Sequence, residues 1–472
     1  MKQNERRSMK SDLPLERKKA LQYDLGAGLL LCSIVFILKI GVLNLPYNWD
    51  EMGGYMTPAH WLAQGSLIGV FPGFHPPYIF FGHPPALYLS VAFLFKIFGE
   101  RIWIAHLFAI CFSFLGVYFS YLLATRLTDR MTGIFASLIL FFSPLYFAQS
   151  GMVHADLFVT SLGVMCVYFF FQRRYLTYLL CGTCLVMVKE SGAAIIFAIM
   201  IYSYLADRDD PRRKTVLLKY SVPLIVLCLF FILQKITTGV FLPNQYFDTN
   251  RFFLITGRSI TWTFVRQGRI AVTLLTIVAF FLNKHAWKEE FNLFLLISLF
   301  FVGTYSFIYC TARYVLPVFP YYCILCAYAI ALLFNNVKRQ LMVNTAIIVL
   351  FIIMTYGAGT GSHGGYDEDM QYVDVVLNHK DACNYVEKAF PGKAVLAEWP
   401  LNEALRFPFL GYVSKPLRVV TVKEPYDVVV YTRQGHPDNE KLRTLKKLRL
   451  DRVFERNGKH VEIYVTNSST DQ

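Results

Sequence analysis

The sequence predicts a polytopic α-helical membrane protein with a small α/β domain at its C-terminal end, on three observations. Hydrophobic residues make up 55% of the chain and charged residues 17%, against about 25% charged in soluble domains. Apolar stretches close to the roughly 20 residues that a helical span needs recur through residues 25–357. After residue 358 the pattern becomes that of ordinary soluble sequence. Three parts follow: an N-terminal tail at 1–24, a membrane domain at 25–357 and an α/β domain at 358–472.

The tail carries Arg6, Arg7, Lys10, Arg17, Lys18 and Lys19, and no small-residue cleavage site follows the apolar run that starts at Leu25. The first span is therefore expected to stay as an anchor, with the N-terminus cytoplasmic. Basic clusters at 126–130, 173–174, 208–214, 284–288 and 338–339 separate the later apolar runs, which places them in the cytoplasm too. Between the second and third of these clusters the chain must leave and return within residues 176–206. Only two short helices fit, with Lys189 and Glu190 at their outer apex.

The same charges put residues 46–101 outside. Within this loop, residues 86–98 are apolar but too short to span, and they read as a helix lying flat in the interface with Lys96 and Arg101 at its polar end. About eleven spans result, with the C-terminal domain extracytoplasmic and large outer loops at 46–101 and 236–268. Three short outer turns each bring ionisable groups to that face. They carry His154, Ala155 and Asp156; Lys189 and Glu190; and Cys310, Thr311, Ala312 and Arg313.

Residues 358–472 hold sixteen basic and sixteen acidic residues, so the whole surplus of +14 lies in the membrane part. There it sets orientation and is no nucleic-acid footprint, and the bilayer is the implied partner. The cysteines, including the Cys181/Cys184 pair, lie mostly in or beside apolar runs and read as small core residues. In the last domain the pattern predicts a helix at 370–389 and strands at 393–397, 417–422 and 426–431. A helix at 437–448 and a final hairpin turning at Asn457 and Gly458 complete it.

Asp50 and Glu51 follow directly on the first span, where lipid-facing charge is costly and an ionisable residue is a functional candidate. Asp50 could equally be the N-cap of a helix over residues 51–64. Asp156 opens the fourth span, where a carboxylate also suits a helix N-terminus. Lys189 with Glu190 could be a structural ion pair, and Arg313 a side chain snorkelling at a span end. His75-Pro76-Pro77 and His83-Pro84-Pro85 bracket an aromatic loop, and the second introduces the flat helix. No metal-ligand spacing is specific, although Asp50, His154 and Asp156 could together bind a divalent cation.

Taken in order, these features resemble the bacterial members of the GT-C glycosyltransferase superfamily, near the protein O-mannosyltransferase and lipid A aminoarabinose transferase group. Asp50-Glu51 with Tyr55, Ala59 and Gly65 is similar to that group's acidic first-loop motif. His83-Pro84-Pro85-Ala86-Leu87-Tyr88 through Phe98-Gly99-Glu100 is similar to its loop helix. Asp156 after Ser143-Pro144 matches the second acidic position, and Val188-Lys189-Glu190 resembles a Thr-Lys-Glu/Gly turn with Val188 in place of Thr. Arg313-Tyr314-Val315-Leu316-Pro317 with Pro320 resembles an Arg-Tyr-x-x-Pro motif. A Trp-Trp-Asp motif of the oligosaccharyltransferase branch is absent.

The resemblance implies transfer of a sugar from a polyprenyl-phosphate donor to an acceptor hydroxyl in the cell envelope, at the outer face of the cytoplasmic membrane. It assigns Asp50, Glu51 and Asp156 to the catalytic group, with Asp50 as base, and Lys189, Arg313 and His83 to the donor phosphate. A secondary transporter is the competing expectation. Its ionisable residues would lie near the bilayer midplane, however, whereas here they gather at outer turns.

Overall fold

The structure, a computed structural model, describes residues 2–71, 83–206, 211, 213–239, 241, 252–306, 311–356, 367–433, 442 and 448–466, the side chains of 2–17, 213, 252–256 and 259 aside. His75-Pro76-Pro77, Cys310 and nearly all of the expected helix at 437–448 lie outside these residues, as does most of the basic cluster at 208–214.

Helix α1 (Lys2–Lys39) leads into the first loop. There a π-helical turn over Glu51–Met56 continues as α2 (Thr57–Gln64), so the helix expected over 51–64 forms with a widened start. Helix α3 (Ala86–Phe98) has the bounds read from the sequence. The membrane part continues with α4 (Ile102–Leu127), α5 (Arg130–Phe142), α6 (Pro144–Gln149), α7 (Ala155–Phe171), α8 (Tyr175–Val188) and α9 (Ala193–Ala206). After these come α10 (Arg213–Thr238), α11 (Phe252–Phe264), α12 (Arg269–Leu282), α13 (Phe291–Thr304), α14 (Phe319–Leu333) and α15 (Val337–Tyr356). Among the described residues, five helices are long and apolar enough to cross a membrane and seven more apolar helices are shorter.

Local sequence explains where these helices start and how closely they approach. Asp129 caps α5, accepting from the Thr132 amide at 3.0 Å and its hydroxyl at 2.6 Å. Pro144 sits in the first turn of α6, where its missing N–H costs nothing. Small residues let helices touch where no hydrophobic drive exists between them. A Cβ on Gly116 of α4 would lie 2.5 Å from the Tyr146 hydroxyl and 2.7 Å from the Ser161 hydroxyl. Gly192 does the same at the turn between α8 and α9, where a Cβ would come within 2.8 Å of the Leu185 carbonyl.

Beyond α15, among the described residues, α16 (Tyr372–Ala389) and α17 (Leu401–Arg406) accompany five strands: β1 (Ala394–Ala397), β2 (Arg418–Val420), β3 (Val428–Thr432), β4 (Leu448–Arg456) and β5 (Lys459–Thr466). They form one sheet in the order β2-β1-β3-β5-β4. β1 runs parallel to β2 and β3, while β5 is antiparallel to both its neighbours. The β4–β5 hairpin turns on Asn457 and Gly458, both at positive φ (47° and 72°), which suits a tight turn that follows the strand twist.

This small domain packs on the first loop. The Tyr47 amide donates to the Leu410 carbonyl at 3.2 Å, and the Tyr412 hydroxyl returns a bond to the Tyr47 carbonyl at 2.9 Å. His60 stacks on Phe409 with ring centroids 3.9 Å apart, and a Cβ on Gly53 would lie 3.0 Å from the Trp399 ring. The loop that carries Asp50 is therefore gripped from the C-terminal domain.

Candidate active site

Four of the six residues singled out in the sequence meet in one buried cluster. Lys189 ends α8 with an extended backbone (φ −159°, ψ 138°) and donates from Nζ to Asp156 Oδ1, on the first turn of α7, at 2.7 Å. Its ammonium also lies 4.1 Å above the Tyr314 ring. Burial alone would lower the Lys189 pKa, but Asp156 and the surrounding tyrosines hold it well above its ordinary value, so the side chain is cationic.

Arg313, in the 3-10 turn before α14, is shared by three carboxylates. Nη2 donates to Asp50 and Nη1 to Asp367, while Nε lies 3.3 Å from Asp156 Oδ2. Asp50 is the accessible one: its side chain is 39% exposed, against 1% for Asp156 and 10% for Asp367. Trp49, just before it, holds a left-handed backbone (φ 47°) uncommon for a bulky residue.

The alternative of a Lys189–Glu190 ion pair is not what the structure shows, since Lys189 bonds Asp156. Lys189 is the one extended residue between α8 and a 3-10 turn that begins at Glu190, and the Glu190 carboxylate meets His83 Nδ1 at 2.9 Å. His83 joins Lys189 in the wall of a small cavity of about 10 Å³ with Tyr55, Leu87, Tyr88 and Ala155, yet its described bond is to Glu190. Glu51 turns inward. Its buried carboxylate accepts from the Asn48 amide at 2.8 Å and the Val153 amide at 2.6 Å, with His106 Nε2 at 3.4 Å. It ties the Asp50 turn to the segment that leads into Asp156.

The sequence reading did not single out Asp367, which the fold brings in from beyond α15. Its carbonyl accepts from Gln149 Nε2 at 2.7 Å, which turns Gln149 Oε1 toward His154 Nδ1 at 2.8 Å. A carbonyl oxygen accepts, so Nδ1 carries the proton and Nε2 presents a lone pair. That nitrogen is buried with no hydrogen-bond partner among the described residues. Burial first, then Arg313 and Lys189, push the His154 pKa well below its ordinary value, in keeping with this neutral tautomer. The one sequence signal for Asp367 was the run Asp367-Glu368-Asp369 soon after the last apolar stretch. Among the described residues, no three His, Cys, Asp or Glu side chains converge to hold a metal ion.

Comparison with known structures identifies the fold. ArnT from Cupriavidus metallidurans superposes in its apo state with a TM-score of 0.60 at 15% identity, over 94% of this chain and 98% of that one. The same protein bound to undecaprenyl phosphate gives 0.61 at 16% identity, over 93% and 98%. The chain has the GT-C fold. A more distant GT-C structure is the archaeal oligosaccharyltransferase AglB from Archaeoglobus fulgidus, in complex with an inhibitory peptide and a dolichol-phosphate. It matches with a TM-score of 0.52 at 10% identity, over 95% of this chain and 75% of that one.

Residues 82–236 match the family described as dolichyl-phosphate-mannose-protein mannosyltransferase. By sequence, no curated protein matches. Within the GT-C fold, the chain resembles the protein O-mannosyltransferase and ArnT group, as its motifs suggest.

Proposed function

We propose that the protein is a membrane glycosyltransferase that moves a sugar from a polyprenyl-phosphate donor to a hydroxyl on an envelope lipid, polysaccharide or protein. The observation that carries this reading is the buried Lys189–Asp156–Arg313–Asp50 cluster, in which one carboxylate alone is substantially exposed. In this account the chain crosses the cytoplasmic membrane about eleven times, with α3 in the interface and the C-terminal domain outside.

The reaction is a single displacement with inversion. Asp50 takes the proton of the acceptor hydroxyl as its oxygen attacks the anomeric carbon. The bond from that carbon to the phosphate oxygen breaks, and polyprenyl phosphate leaves with one more negative charge than the donor held. Lys189 and Arg313 meet that growing charge in a water-poor site, where fixed cations act most strongly. Asp156 holds both cations, Glu51 sets the position of Asp50, and His83 with Glu190 closes the wall beside Lys189.

A cleft of about 920 Å³ lies between α9, α11 and α13, lined by Phe264, Leu295, Leu296 and Leu299 among others. Its α9 residues are roughly 18 Å along that helix from the Lys189 turn, within reach of a long prenyl chain whose phosphate rests at the cluster. Mass spectrometry of envelope glycolipids and glycoproteins, from cells with and without the protein, tests the proposal. A sugar-bearing species should disappear with the gene, and an unchanged profile would count against it.

A further inference from the structure

Both Nη atoms of Arg313 already donate to a carboxylate in this structure. Asp50 holds Nη2 and Asp367 holds Nη1, while Asp156 lies beside Nε. With Lys189, the cluster sets three carboxylates against two cations. A donor phosphodiester entering beside them would make four anions against two cations in a site of low dielectric, where unbalanced charge is most costly. The cluster can accept the phosphate only if a carboxylate already there gives up its place.

The three carboxylates differ in their freedom to do so. Asp156 stands on the first turn of α7, is essentially unexposed, and bonds Lys189. Asp50 sits in a turn pinned by the Glu51 clamp on the Asn48 and Val153 amides. Asp367 belongs to no helix or strand. Its backbone is fixed by Gln149, and the next carbonyl, that of Glu368, is fixed by Gln267 Nε2 at 2.9 Å. Among the described residues its carboxylate is held by Arg313, since the other cation candidate, His154 Nδ1 at 3.9 Å, already donates to Gln149. Rotation about the Asp367 side-chain bonds frees Nη1 without moving the chain.

We infer that Asp367 is a tethered stand-in for the donor phosphate: it occupies the Nη1 subsite of Arg313 in the empty protein and yields it to a phosphate oxygen when the donor binds. This rests on the reading of Arg313 as a phosphate partner and adds where on the guanidinium the phosphate sits and what it must displace. The exchange keeps the charge of the cluster constant, because one monoanion replaces another. It also keeps Arg313 paired and oriented between turnovers, at the cost of part of the donor affinity. The penalty takes the form of the fraction of molecules in which the subsite is open.

The test titrates undecaprenyl phosphate onto the full-length protein in detergent, comparing wild type with Asp367→Asn, Asp367→Ser and Asp50→Asn, and follows the melting temperature of each. Both Asp367 variants keep the backbone bond to Gln149, so one can stand in for the other if either folds poorly. Binding should tighten about tenfold in the Asp367 variants and change little in Asp50→Asn. In the wild-type protein, carbodiimide labelling of Asp367 should rise when the lipid is bound.

Equal or weaker binding by the Asp367 variants overturns the inference, as does labelling that stays constant. An equal gain in Asp50→Asn also overturns it, because the effect would then be a general loss of negative charge. If folded wild type and variants all fail to bind undecaprenyl phosphate, the phosphate role of Arg313 fails, and the inference with it.

Discussion

Lys189 Nζ donates to Asp156 Oδ1 at 2.7 Å across 33 residues of sequence, while the neighbouring Glu190 pairs with His83. The pair joins the end of α8 to the start of α7, and Asp156 in turn faces Arg313. Lys189→Met should therefore weaken undecaprenyl phosphate binding about 10- to 100-fold, the loss expected of a hydrogen bond to a charged group. Lys189→Arg should restore part of it, because a planar fork replaces a compact charge. Titration of the lipid onto each variant checks this. Full activity in a Lys189→Met/Asp156→Asn double variant would leave the pair with a structural role only.

Asp50→Asn removes the proposed base and keeps the shape of the side chain. Transfer should fall about 10²- to 10⁴-fold while donor binding stays near the wild-type value. Turnover at the wild-type rate would remove Asp50 from the chemistry.

Glu51→Gln leaves one acceptor oxygen for two backbone amides, those of Asn48 and Val153. The unpaired amide should cost about 1–3 kcal/mol, read as a lower melting temperature. Because the clamp positions Asp50, kcat should drop with little change in donor affinity. A variant that alters donor binding and not kcat would place Glu51 in contact with the lipid.

His379 in α16 is buried against the Thr432 hydroxyl at 3.2 Å, and burial brings its pKa down to about 4 from the usual 6.5. The unfolded chain therefore binds a proton that the folded domain refuses. Its contribution to stability is complete above pH 6.5 and is lost as pH falls toward 4, by about 1.4 kcal/mol per pH unit. Hydrogen exchange of the α16 amides across this range should show the loss, and His379→Gln should flatten it.

Much of this architecture is legible in the sequence because lipid makes local rules strict. A short apolar run between basic clusters leaves room only for α8 and α9, and the Lys189–Glu190 apex falls at their junction. The bounds of α3 follow from the two prolines before it and Gly99 after it. The same reasoning sets Asp50, Asp156, Lys189 and Arg313 at turns expected on one face, and the structure brings their side chains into one cluster. What it misses depends on side-chain direction and on long-range packing. Lys189 and Glu190 part company where one extended residue, Lys189, gives way to a 3-10 turn that begins at Glu190. The acids at 367–369 carry no motif, and it is Gln149, on a helix more than two hundred positions earlier, that fixes the Asp367 carbonyl with its carboxylate beside Arg313.

Release of polyprenyl phosphate distinguishes sugar transfer from solute transport. The purified protein, reconstituted into proteoliposomes, would be offered a panel of undecaprenyl-phosphoryl pentoses and hexoses together with envelope extract as acceptor. The account predicts that at least one donor is converted to undecaprenyl phosphate, with its sugar on an acceptor, and that Asp50→Asn and Arg313→Met abolish the conversion. Donors left intact by a folded wild-type protein that instead equilibrates a free solute across the membrane would contradict it.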